Sequence, residues 1–122
     1  MDELALKIQY ELSTRKFLYT AIRLGGLPDA EFISQNVNSN DVDVISLTIG
    51  RQDKDFDFWT ADFGLASEKE VIPKFYMSFR DKFTVVVYGW QFVVTGLDES
   101  GKVVPLSKAD IKYILEELRI WS

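Results

Sequence analysis

Phe83-Thr84-Val85-Val86-Val87-Tyr88-Gly89-Trp90-Gln91-Phe92-Val93-Val94-Thr95 is apolar on both of its alternating faces. A strand reads this way when it lies in the middle of a sheet, with the core on one side and a helix on the other. Gly89 is the expected place for a bend or bulge in it. Downstream, Asp98-Glu99-Ser100-Gly101 reads as a hairpin turn into Lys102-Val103-Val104. Ser107 then caps a helix with Asp110 in its first turn. Ile111, Ile114, Leu115 and Leu118 follow the i, i+3, i+4, i+7 spacing of a buried helical face.

Upstream, Phe75, Met77 and Phe79 fit a strand, whereas Val71, Ile72, Phe75, Tyr76 and Phe79 fit a helix. Pro73 sits badly inside a helix, which favours the strand. Residues 42–49 alternate, with Ile45, Leu47 and Ile49 on one face; 50–55 form a turn, and 56–66 a returning strand. Phe56 and Phe58 share one face of that strand, but Trp59, Ala61, Phe63 and Leu65 share the other, so a bulge is expected near Phe58. At the start, Leu4, Leu6, Ile8, Tyr10 and Leu12 alternate with polar or small residues, predicting a half-buried strand. The competing helix would use Leu4, Ile8 and Leu12. Ser13 and Thr14 can cap a helix bearing Phe17, Leu18, Ala21 and Ile22, stopped by Gly25-Gly26. Leu27-Pro28-Asp29-Ala30-Glu31 predicts a short helical turn, and 36–41 a polar loop.

Together these elements predict one α+β domain over residues 1–122. Its single antiparallel sheet would hold about five to six strands. One helix follows the first strand, and a C-terminal amphipathic helix packs on one face. With 122 residues, 47% apolar, the chain can bury a real core.

The chain has no cysteine and no histidine. Thiol nucleophiles, Cys-bound metals and His-based triads are therefore excluded. Met1-Asp2-Glu3 lacks the basic and apolar regions of a signal peptide, and no run is long enough to span a bilayer. The expectation is a cytoplasmic protein without a membrane partner.

Charge is concentrated. Residues 29–62 hold eight acids (Asp29, Glu31, Asp41, Asp43, Asp53, Asp55, Asp57, Asp62) and two bases (Arg51, Lys54), a net of −6. The remainder nets +1, so the formal −5 of the chain comes from this stretch. Concentrated charge can steer a cationic partner or hold a metal, whereas dispersed acidity serves solubility.

Asp53, Asp55 and Asp57 match the first positions of a calcium loop. The Gly and Glu that such a loop needs at positions six and twelve are Phe58 and Gly64 here. A non-standard divalent site using Asp41, Asp43 and this cluster would support a metal-assisted hydrolase. Otherwise no spacing selects a carboxylate pair, and the expectation is a non-enzyme with no metal and no cofactor. Gly25-Gly26 follows a helix and offers no phosphate cradle. Lys69, Lys74, Arg80 and Lys82 are interleaved with Glu68, Glu70 and Asp81, so no basic stripe exists for nucleic acid.

Acids alternate with large rings in Asp53-Lys54-Asp55-Phe56-Asp57-Phe58-Trp59-Thr60-Ala61-Asp62. Interfaces anchor on such rings within a charged rim. The candidate partner-binding residues are Asp41, Asp43, Asp53, Asp55, Asp57, Phe58, Trp59 and Asp62. The competing reading buries Phe56, Phe58 and Trp59 and leaves the aspartates merely solvated.

In size and charge placement the chain is similar to bacterial immunity proteins, small cytosolic inhibitors that neutralise toxic nucleases. The resemblance implies a non-catalytic inhibitor that binds a basic partner such as a toxin domain. The alternative function is a ligand-binding or structural module, with an apolar pocket between a curved sheet and the C-terminal helix. A homodimer could form through a sheet edge at 42–49 or 102–104.

Overall fold

β1 (Leu4–Glu11) and β2 (Lys16–Arg23) pair as an antiparallel hairpin running from Leu4 opposite Arg23 to Glu11 opposite Lys16. The computed structural model describes residues 3–48, 55–62, 72–80 and 84–122. β1 is a strand as expected, though Leu12 falls in the turn beyond it and is exposed, and β2 corrects the helix expected over Phe17–Ile22. Phe17, Tyr19, Thr20 and Ile22 are β-formers, and Arg15 closes the turn with a left-handed φ of 56°. The helix α1 instead occupies Ala30–Val37. The Asp29 carboxylate accepts the Phe32 amide at 2.8 Å as its N-cap, and Asn38 ends it at a φ of 57°. The short turn expected at residues 27–31 is thus the start of a full helix, and Asn36 belongs to that helix and not to a loop.

β3 (Val42–Thr48) and β4 (Asp55–Ala61) pair without a break from Val42 opposite Ala61 to Thr48 opposite Asp55. There is accordingly no bulge at Phe58. Phe56 and Phe58 face one way, and Trp59 and Ala61 the other, because both faces of β4 are covered. Ile49, the turn at 50–54, Phe63, Leu65 and Val71 lie outside the described residues.

β5 (Lys74–Phe79) is a strand, as Pro73 argued. The expected single strand over 83–95 is, within its described residues 84–95, two strands. β6 (Thr84–Tyr88) and β7 (Gln91–Leu97) belong to different sheets, with Gly89 at the corner between them. Gly89 has a φ of 134°, which only glycine adopts without strain, and its amide donates to the Pro73 carbonyl at 3.1 Å.

Among the described residues the larger sheet has six antiparallel strands in the order β2-β1-β7-β4-β3, with β8 (Val103–Val104) pairing on β7. A second sheet has the order β6-β5-β9, where β9 is Leu118–Trp121. The helix α2 (Lys108–Glu117) starts with a capping box between Ser107 and Asp110 and runs straight into β9. Leu118 is therefore buried as a strand residue, and Leu115 is 45% exposed instead of facing the core.

The core lies between the two sheets. Leu6, Ile8, Phe56, Phe58, Phe92 and Val94 meet Phe75, Met77, Phe79 and Val87, with Leu106, Ile111 and Ile114 closing one end. Phe75 packs 4.8 Å from both Tyr10 and Phe17. Phe58 stacks on Phe92 at 5.1 Å. On the opposite face of the larger sheet, Val37 and Phe32 of α1 cover Ala5, Val93 and Trp59. β7 thus has the helix on one face and the second sheet on the other, as its apolar pattern required.

The β7–β8 hairpin is pinned by Asp98, whose carboxylate accepts from the Ser100 hydroxyl at 2.7 Å and from the Ser100 and Lys102 amides. It folds close over β7 because Gly96 has no side chain. A Cβ there would lie 3.0 Å from Val104 Cγ2 and 3.1 Å from the Val104 and Pro105 carbonyl oxygens. Gly96→Ala is expected to lower unfolding free energy by about 1–3 kcal/mol, from overpacking against backbone. Urea denaturation checks this, and an unchanged midpoint would contradict it.

Candidate functional site

Successive β4 side chains alternate between the two faces of the sheet, and this decides what each candidate residue can touch. Phe58 is wholly buried between the sheets, so it belongs to the core and presents no surface. Asp55, Asp57 and Trp59 share the opposite face. Trp59 is half-buried beneath α1, and its indole N–H donates to the Thr95 hydroxyl at 2.9 Å. Thr95 is itself fully buried, so this bond satisfies a polar pair that would otherwise be stranded.

Asp57 is 4% exposed, and it accepts the Ser46 hydroxyl at 3.0 Å from across the β3–β4 pair. It is a supported, covered carboxylate and not a solvated rim residue. Asp55 is half-buried two residues earlier on the same face.

The other aspartates sit at the opposite end of β4. Asp62 and Asp41 are exposed, and the Asp62 amide donates to the Asp41 carbonyl at 2.8 Å. Asp43 is exposed on β3, opposite Thr60. The structure therefore joins Asp41, Asp43 and Asp62 at one end, sets Asp55 at the other with Asp57 covered between, and removes Phe58. Asp53 lies outside the described residues.

A larger separation of charge emerges from the fold. α1 packs on β3, β4 and β7, and the described residues of α1, β3, β4 and their link carry Asp29, Glu31, Asp41, Asp43, Asp55, Asp57 and Asp62. No described lysine or arginine lies among them. The described bases are on β1, β2, the second sheet, the β7–β8 hairpin and α2. Among the described residues β3 is the last strand on this side and is paired only with β4. Its Val44 is 45% exposed and pairs with Trp59, so an apolar spot lies along the acidic margin. Sequence reading missed Val44, Ser46 and Thr95, whose roles depend on cross-strand register.

Two hollows adjoin this region. A cleft of about 200 Å³ between Phe56, Leu97, Val104 and Pro105 is fringed by Asp55, Asp98, Glu99 and Asp110. It is smaller than the roughly 300–1,000 Å³ of ordinary ligand pockets. Asp98 and Asp110 are already engaged by the hairpin turn and the helix cap. A polar hollow lies along α1, at Glu31, Ser34, Gln35 and Asn38. Among the described residues no group of three or more acids is placed to hold a metal ion, and no helix is long and apolar enough to cross a membrane.

Burial raises the Asp57 pKa above its ordinary 3.8; the Ser46 hydrogen bond lowers it, and the Asp55 charge raises it further. Within the window above 3.8, the folded protein keeps a proton that the unfolded chain has lost. Stability therefore falls as pH rises through that window. Asp57→Asn keeps an acceptor for Ser46. It is expected to raise the thermal midpoint at neutral pH, with a gain that shrinks on acidification. A gain equal at acid and neutral pH contradicts this assignment.

Comparison with protein-family models, with curated proteins and with solved structures found no match.

Proposed function

We propose that this protein is a non-catalytic binding module whose acidic α1–β3–β4 margin captures a basic protein partner. Its mode would be that of an inhibitor, similar in size and charge placement to bacterial toxin-neutralising immunity proteins. The observation that carries the reading is the segregation of charge: the described residues of α1, β3, β4 and their flanking links carry seven acids and no base, at one margin of the larger sheet. Such a field accelerates encounter with a cation and rejects anions.

In this reading Asp41, Asp43, Asp55 and Asp62 form the charged rim, with Val44 and the accessible part of Trp59 as the apolar contact. Asp57 and Phe58 support that surface from beneath. Among the described residues no strand pairs with the outer side of β3, an edge that a partner strand can extend.

Asp41→Lys/Asp43→Lys is expected to slow association with the basic partner captured at low salt by about tenfold or more, leaving dissociation less affected. Wild-type association is expected to slow steeply as salt is raised. Stopped-flow measurement checks both, with Glu99→Lys on the β7–β8 hairpin as a control. Association that ignores both the substitutions and salt contradicts the proposal.

A further inference from the structure

We infer that the acidic β3 edge accepts, as its basic partner, the β2 edge of a second copy of this chain, so that copies join head to tail through one continuous sheet. This rests on the reading of the β3 margin as a binding surface, and names a partner for it.

β2 is the opposite edge of the same sheet and, among the described residues, pairs only with β1. It is eight residues long, and Lys16, Leu18, Tyr19, Thr20, Ala21 and Arg23 are all exposed. Leu18 is 46% exposed and Tyr19 42%. A long edge strand with apolar side chains and unpaired backbone groups is a template for another strand.

The charges on the two edges are complementary. β2 carries Lys16 and Arg23 at its ends, follows Arg15, and contains no acid. Burial raises the Tyr19 phenol pKa, and the nearby Arg119 pulls it back, which places a further cation beside this edge. β3 carries Asp43, follows Asp41, and contains no base. A two-fold pairing of β2 with itself, centred on the strand, would set Lys16 opposite Arg23 twice, a like-charge contact. Pairing with β3 has no such conflict.

The strand directions also agree. Each of the steps β2-β1-β7-β4-β3 is antiparallel, so β2 and β3 run the same way. A copy displaced along the sheet presents β2 parallel to β3, with the same face upward. Arg15 and Lys16 then begin beside Asp41 and Asp43. In that register Leu18 of one copy lies along Val44 of the next on the α1 face. The seven residues of β3 match the eight of β2 in length. A head-to-tail contact of this kind does not close on itself, so the assembly grows with concentration.

Complementary variants test the inference. Lys16→Glu/Arg23→Glu keeps the β3 edge and spoils β2; Asp41→Lys/Asp43→Lys does the reverse. Thr20→Asp is a second β2 variant, and circular dichroism checks folding of each. In sedimentation at low salt the wild type is expected to exceed dimer mass as concentration rises, and to return to 14.0 kDa at high salt. Each double variant alone is expected to stay monomeric, because both of its edges then carry one sign, while an equimolar mixture is expected to assemble beyond 14.0 kDa, because every edge meets one of opposite sign. A wild type that stays monomeric, a variant that assembles alone, or a mixture that does not combine overturns the inference. Binding of the foreign basic partner separates the two claims. If the wild type is monomeric yet Asp41→Lys/Asp43→Lys still weakens that partner's binding, only self-association is refuted.

Discussion

The contact between the rings of the small sheet and the inner face of the large one is what the rest of the structure depends on. Phe75 meets Tyr10, Phe17 and Phe92, and Phe79 meets Phe56 and Tyr113. Each fully buried ring contributes on the order of 2 kcal/mol, so this layer outweighs any surface charge pair. It also fixes what is left for function. Phe56, Phe58 and Phe92 are consumed by the core, and Trp59 and Thr95 satisfy each other under α1. The binding chemistry is left to the margins of the sheet.

The sequence revealed β1, β3, β5, the turn at Asp98 and the Ser107 cap, because each carries a local signal: alternation, an ill-placed proline, turn residues or a capping box. β2 was misread as a helix. A strand exposed on both faces has no polar–apolar alternation, so Phe17, Leu18, Ala21 and Ile22 fit a helical face equally well. α1 has only Ile33 and Val37 fully buried, too few to announce a full helix. The imagined bulge at Phe58 and the single strand across Gly89 share one cause. Periodicity reports that both faces are buried, but not whether one sheet or two supply the burial.

The candidate site was legible in charge and not in geometry. That acids gather between residues 29 and 62 is evident from the chain. That α1 folds onto β3 and β4, so the same acids gather at one margin of the larger sheet, needed the sheet order. The same order brought an edge into view that composition hides: β2 with its two basic ends, opposite β3 with its acids. Charges on an edge strand ordinarily prevent pairing between identical edges. Here each edge repels its own kind, and opposite signs leave one pairing open.

The account's central claim is that interaction occurs at these two edges while the buried layer stays unchanged. Amide hydrogen exchange of the wild type, compared between low and high salt at the same concentration, tests it most directly. The account predicts that protection in β2 and β3 rises at low salt, while β7 and β4 remain slow in both conditions. Salt-dependent protection confined to β6, β5 and β9, or no salt dependence at either edge, would contradict it.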